Sequence, residues 1–406
     1  MTAPGLSADL CLKCNICTAA CPVAAVTDLF PGPKAVGPQA ERYRQPGAGS
    51  VDASVTWCSG CGTCTRVCPH GVQVAEMNIL AKAQAARGHI PLRDQFMSRP
   101  EWLGRFGSPL APLANFALSQ PLLRLALERL LGIARHAPMP PFSHTTLRRR
   151  QRARLVRTPE QVARAATTVA FYHGCSANYY EPQLAETAIA VLEHLGCSVI
   201  IPPQVCCGLP LQSNGLLRAA RLQARSNIRS LSPFAKAGIP IVGTSTSCTL
   251  SLKHDYQNIL GLEGEDAAVL AESTFDIFEF LAFRLRSTLD QAILHEVTAR
   301  ALYHPPCQLK SHFMGLPALP VLRRIPELDL HLSEAECCGI AGTYGLKKEK
   351  YQVARDVGEG LFAQARRLNV DCIITDSETC RWWIARHTAL PAFHPVQILA
   401  QSLRLS

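Results

Sequence analysis

The sequence is short of charge. Of its 406 residues 18% are Asp, Glu, Lys or Arg, while 48% are hydrophobic. That balance excludes a globally disordered chain and leaves ample material for sizeable cores. At about 150 residues per domain, the length predicts two to three domains. Residues 1–10 lack the basic patch and apolar stretch of a secretory signal. No G-x-G-x-x-G follows a strand pattern, so no dinucleotide or flavin site is expected in this chain. No recognised nucleic-acid motif is present, and nucleic acid is not an expected partner. The one leucine-rich stretch, Pro121 to Arg135, is fifteen residues long. As a helix it spans roughly 22 Å, short of a bilayer core of about 30 Å, so a spanning helix is not expected.

What the chain does have is cysteine and a localised positive charge. There are 18 cysteines, too sparse in so long a chain for a disulfide-stapled scaffold. A reducing compartment is expected, where thiols serve as metal ligands or redox groups. The net charge is +10, and it has an address. Thirteen arginines against three acids lie between Arg87 and Arg157, and the other 28 bases and 28 acids cancel. This basic segment separates two cysteine-bearing regions and is rich in Pro and Gly between residues 100 and 141. Within it, PLLRLALERLLGIAR predicts a helix starting at Pro121. Arg124, Glu128 and Arg135 form a narrow polar stripe, and leucines and Ile133 fill the rest. Trp102, Phe106 and Phe116 add apolar anchors, and six arginines follow between Arg148 and Arg157. An interfacial helix beside anionic headgroups, docking on a partner protein, and packing on the chain itself all fit this pattern.

The first eight cysteines are the strongest signal. Residues 11–22 read CLKCNICTAACP and residues 58–69 read CSGCGTCTRVCP, each a C-x2-C-x2-C-x3-C-P. In that pattern three thiolates hold one four-iron cubane and the fourth crosses to the other cluster. The expected sets are Cys11, Cys14, Cys17 with Cys68, and Cys58, Cys61, Cys64 with Cys21. Gly60 and Gly62 let the backbone approach a cluster. Structural zinc is the alternative, but zinc favours paired cysteines rather than a three-plus-one exchange.

The last ten cysteines carry a repeat. Cys175, Cys206, Cys207 and Cys248 are echoed by Cys307, Cys337, Cys338 and Cys380, at offsets of 132, 131, 131 and 132. A duplication of about 130 residues follows. Short apolar runs at 168–172, 198–201 and 239–243, and again at 301–303, 329–332 and 372–375, alternate with helical patterns at 183–195, 216–230 and 347–367. Each repeat therefore reads βαβαβ with a parallel sheet, an α/β fold beside a small α-rich ferredoxin-like domain. Each cysteine set then follows strand C-termini, where open α/β sheets place ligands. An iron–sulfur site per repeat is expected; zinc, a redox disulfide and plain burial are the alternatives. Cys197 and Cys372 have no counterparts and are expected to be buried hydrophobes, and His173 and His304 to be structural. The expected organisation is 1–86 ferredoxin-type, 87–164 connector, 165–298 first repeat and 299–406 second repeat.

The ferredoxin pair followed by two C…CCG…C repeats resembles the CCG-domain iron–sulfur subunits, which include those of glycolate and lactate oxidases and the B subunit of heterodisulfide reductase. Phe30-Pro-Gly-Pro-Lys34, Gly37-Pro38, Gly107-Ser-Pro-Leu-Ala-Pro112, Asn115, Asn214-Gly215, Cys337 to Gly345, Thr375-Asp376 and Glu378-Thr379-Cys380 resemble, within that family, the C subunits of anaerobic glycerol-3-phosphate dehydrogenases. The resemblance implies a peripheral subunit on the cytoplasmic face of the membrane. It would take electrons from a flavin-bearing dehydrogenase subunit and pass them to menaquinone. One departure stands out. The heterodisulfide-reductase type closes each repeat with C-x2-C, and here Ser245 and Ser377 replace the first cysteine. Hydroxyls are poor ligands in a sulfide cluster, which puts the five-thiolate cluster and disulfide chemistry in doubt.

Overall fold

The computed structural model describes residues 8–44, 52–86, 90–162 and 167–405. Arg87, which opens the basic segment, and the expected boundary at 164/165 lie outside them.

Two four-stranded parallel sheets carry the repeats. The first contains β1 (Thr168–Tyr172), β2 (Ser198–Ile200), β3 (Ile241–Gly243) and β4 (Thr274–Asp276), in the order β2-β1-β3-β4. The second contains β5 (Ala299–Tyr303), β6 (Leu328–Leu332), β7 (Cys372–Ile374) and β8 (Ala392–Phe393), in the order β6-β5-β7-β8. The α/β class and the duplication are as expected; the fourth strand of each sheet is an addition. Strands of two or three residues carry no periodicity. Each leads instead into a capped helix: Asp276 accepts from the N–H of Phe278, and His394 from that of Val396.

Val169 to Tyr172 form an unbroken buried run, as a strand covered on both faces requires. In each sheet the first strand lies between the second and third, so the chain reverses direction across the sheet beside it. Loops after those strands meet at one crevice. Cys175 follows β1, Cys206 and Cys207 follow β2, and Cys248 follows β3. The repeats share a continuous core in which Leu192, Ile277 and Phe278 pack with Ala301, Val396 and Leu399. Each large buried side chain contributes about 1.5–3 kcal/mol. Cys197 and Cys372 sit in this core, and burial pushes both up to about 11.

The connector forms helices at Leu92–Met97, Pro100–Gly107, Ala111–Ser119 and Pro121–Leu131. The last begins at Pro121 as the sequence implies, and stops four residues short of Arg135 because Gly132 turns left-handed (φ 68°). Its polarity is inverted. Arg124 is 9% exposed and donates to the carbonyls of Ala134, Arg135 and Ala137, while Leu122 and Leu130 are each 82% exposed. The loop that follows bends back over the polar stripe and anchors on the second repeat through Ala134 N–H to Leu346 O (2.9 Å). The arginine-rich stretch is partly docked as well. Leu147 is fully buried, Arg150 and Arg154 pair with Glu186 and Glu193, and Leu155 bridges to Ile201 beside β2.

Candidate iron–sulfur sites

Both ferredoxin motifs adopt the same unusual backbone. Lys13 and Asn15 flank Cys14 at φ 61° and 74°, and Gly60 and Gly62 flank Cys61 at φ 72° and 80°. Left-handed residues on each side of a thiol turn successive N–H groups to one side, a concavity suited to an anion. Lys13 and Asn15 do this without the freedom of glycine, and strain of that kind concentrates at functional sites. One small cavity is lined by Cys11, Cys14, Cys17 and Cys68, and another by Cys21, Cys58, Cys61 and Cys64. The donor chemistry, four thiols around a shared void with backbone N–H groups beside it, fits a sulfide cluster. Among the described residues no three His, Cys, Asp or Glu side chains are grouped as a single ion would hold them.

Cys14 is exposed, whereas Cys58, Cys61 and Cys64 are buried. Burial pushes the thiols of the second set up, Cys21 to about 12, so a metal bound there would have to displace protons from sulfur. Two amines are buried against this set. Lys82 Nζ donates to Cys58 O (3.0 Å), and Lys350 donates to Thr56 O and lies 4.8 Å from the ring centroids of both Trp57 and Tyr344. Desolvation lowers Lys82 to about 8 and Lys350 to about 6.

The repeat cysteines form two clusters of sulfur. In the first, Cys175 and Cys206 stand 3.7 Å apart, and Cys207 is held well below the usual thiol range by hydrogen bonds from Cys206 and Cys248. In the second, Cys338 and Cys380 stand 3.1 Å apart, and hydrogen bonds from Cys307 and Cys338 lower Cys337 in the same way. Each set thus hydrogen-bonds to itself with one member favoured as thiolate. Ser245 donates instead to Glu378 Oε1 (3.2 Å), and Ser377 pairs with Thr379 (3.3 Å). His173 and His304 are buried, with Nδ1 against Gly174 O and Ser333 Oγ, and desolvation lowers both to about 4.

The two sets are not equivalently placed. Cys61 of the ferredoxin domain packs directly on Cys307 and Cys337. Arg66 pairs with Glu336, and Gly62 has Ser311 where a Cβ would be, 2.3 Å from its Oγ. The first set meets the connector: Cys206 N–H donates to Glu101 Oε2 (2.8 Å). Both sets and the Cys58–Cys61 edge line one cavity of about 250 Å³.

The chain's relatives bear directly on this arrangement. A 4Fe-4S dicluster domain model matches residues 7–72, and a cysteine-rich domain (CCG) model matches 169–253 and 301–385. The C subunit of the anaerobic glycerol-3-phosphate dehydrogenase of Escherichia coli K12 is 35% identical over 402 residues, covering 98% of this chain and 99% of the relative. The chain belongs to that C-subunit family. It is an iron–sulfur protein, with a dicluster domain ahead of two cysteine-rich repeats. More distant relatives match the chain in part. The B subunit of the fumarate reductase (CoM/CoB) of Methanothermobacter marburgensis is 26% identical over 91% of the chain and 66% of its own length. Lactate utilization protein A of Halalkalibacterium halodurans is 29% identical over 44% of the chain and 73% of its own length.

The structure also assembles residues that sequence reasoning missed. Glu101, Lys82 and Lys350 reach the cysteine sites from elements that carry no motif. The pairing of Glu101 with Cys206 spans 105 residues, and no local pattern announces it.

Proposed function

We propose that this chain is the electron-transferring component of a glycerol-3-phosphate dehydrogenase, docked peripherally on the cytoplasmic face of the membrane. It takes electrons from a flavin-bearing partner and delivers them to menaquinone. The full-length relationship to the C-subunit family supports the substrate and the partner. The membrane reading rests on the inverted connector. Trp102, Phe106, Leu110, Leu113, Phe116, Leu122 and Leu130 are exposed beside a net positive segment, and an apolar surface with arginines suits an anionic lipid interface. Among the described residues no helix is long and apolar enough to cross a membrane.

In this reading Cys11, Cys14, Cys17 and Cys68 hold one cubane, and Cys58, Cys61, Cys64 and Cys21 the other. The repeat sets hold further iron–sulfur groups, and the organisation is 1–86, 87–164, 165–298 and 299–406. The clusters supply one-electron carriers. The protein positions the thiols, excludes water from the second ferredoxin set and leaves Cys14 at the surface, where a partner can approach. Ser245 and Ser377, hydrogen-bonded elsewhere, favour this reading over a disulfide reductase.

Two experiments test it. Cys61→Ser and Cys307→Ser should each remove iron, the first by roughly four atoms per chain, while Cys197→Ser and Cys372→Ser leave the iron content unchanged. Equal losses from all four would refute the assignment. Replacing Trp102, Phe106, Leu113 and Phe116 by Ser should abolish binding to anionic vesicles. Reversing the charge of Arg149, Arg152 and Arg157 should weaken binding at low salt and matter little at high salt. Vesicle binding that survives both sets of changes excludes this docking surface. Co-purification with a flavoprotein other than a glycerol-3-phosphate dehydrogenase would move the substrate assignment.

A further inference from the structure

The large cavity has a side that contains no cysteine. Met97, Leu103, Leu118 and Phe142 of the connector, Tyr180 of the first repeat and Trp382 of the second all line it. Its three aromatic rings stand in a row, with centroids 5.4 Å apart from Phe142 to Tyr180 and 6.5 Å from Tyr180 to Trp382. The polar atoms of the wall are already committed: Tyr180 OH donates to Pro100 O (2.8 Å) and Trp382 Nε1 to Glu181 Oε1 (2.9 Å). What remains facing the cavity is ring face, thioether and aliphatic carbon, with the buried hydroxyl of Ser176 as an unpartnered polar group at its edge. A planar apolar ring gains most from such a wall, through offset stacking on the aromatics and adaptive contact with methionine. The whole cavity measures about 250 Å³, below the roughly 300–1,000 Å³ of most ligand cavities, and the aromatic side shares it with the repeat cysteine sets. That suits a two-ring head group better than a long molecule.

The position of the mouth narrows the choice of ligand. Leu103 is a cavity wall and is also 39% exposed, and its neighbours Trp102 and Phe106 are among the exposed apolar residues of the connector. A ligand with a ring inside and an isoprenoid tail outside would leave the tail on that apolar surface. Both repeat cysteine sets border the same space.

We propose that this three-module aromatic slot is the binding site for the ring of a lipid-soluble naphthoquinone, entering past Leu103 from the apolar face of the connector. The inference rests on the quinone reading given above and adds the place and the recognition chemistry. It also gives the connector a second role, as the roof of a ligand site.

The test uses the iron-loaded full-length chain with its flavoprotein partner and a photoreactive azido-naphthoquinone. Crosslinks should map to peptides containing residues 97–118 and 138–142 and be suppressed by excess unlabelled menadione. Leu118→Trp, which fills the slot, should reduce labelling at least tenfold with iron content and vesicle binding retained. Leu103→Trp, at the half-open mouth where a larger side chain has room, should do the same and serves as the control for misfolding. Labelling that maps elsewhere, or that neither variant alters, overturns the slot. If the complex reduces no naphthoquinone at all, the proposed function fails. If it does so while labelling lies outside the slot, only this inference fails.

Discussion

Gly339→Ala should destabilise the protein by about 4 kcal/mol or more, whereas the same change at its repeat counterpart, Gly208, should cost about 1–2 kcal/mol. Both glycines follow a Cys-Cys pair in a left-handed conformation, at φ 97° and 90°. The left-handed penalty for alanine is therefore common to both. The difference is what a Cβ would meet. At Gly339 it would lie 1.8 Å from the carbonyl oxygen of Ala354, on the helix Lys348–Leu368; at Gly208 the nearest atom, Ala220 O, is 3.4 Å away. Gly358 on the same helix reciprocates, with a Cβ that would fall 2.4 Å from Cys338 O. The second cysteine turn is thus pressed backbone to backbone against a 21-residue helix that has no room to yield. Urea denaturation should show a large loss of midpoint for Gly339→Ala with loss of iron, and a small one for Gly208→Ala. Equal losses would show that the left-handed conformation, not the contact, sets the cost.

Asp94→Ala should cost about 3–5 kcal/mol, the usual result of stripping a buried cation of its partner. Lys347 Nζ donates to Asp94 Oδ2 and to Asn214 Oδ1, both at 2.7 Å, and so ties the connector and the two repeats together. Arg93 also holds Asp94 (2.9 Å) and reaches Glu349. Lys347→Met should cost markedly less, because Asp94 then keeps Arg93 while the ammonium's own desolvation disappears. Burial raises the pKa of Asp94, but Lys347 and Arg93 outweigh it and hold the carboxyl below its usual range. A carboxylate whose pKa is lower folded than unfolded adds stability above its unfolded pKa of about 3.9, and that stability is lost as pH falls through the lower folded value. The wild-type protein should therefore lose more stability between about pH 4 and pH 2 than Asp94→Ala does. Parallel pH profiles would refute the coupling.

How far the sequence led depended on whether the information was local. β1 occupies the apolar run read from residues 168–172, and the other five expected strands fall within two residues of their runs, because a short apolar block bounded by loops is a local signal. The fourfold cysteine echo located the duplication directly. The sense of the Pro121–Leu131 helix was not legible. A stripe of Arg124, Glu128 and Arg135 serves equally as a solvated face or a buried one. The carbonyls of residues 134–137, folded back by a turn at Gly132, decide the matter. The aromatic slot was hidden for a related reason. Phe142, Tyr180 and Trp382 come from three modules and are joined only by the tertiary fold.

The two halves of the duplication are not exchangeable here. The second half meets the ferredoxin domain at Glu336 and Ser311 and the connector at Leu346 and Lys347, whereas the first meets the connector at Cys206 and Tyr180 and the ferredoxin domain at Gly215 and His254. A chimera with the halves transposed would retain every cysteine and both sheets. It would nevertheless present the wrong surface to each neighbour, so the order of the repeats along the chain is itself part of the design.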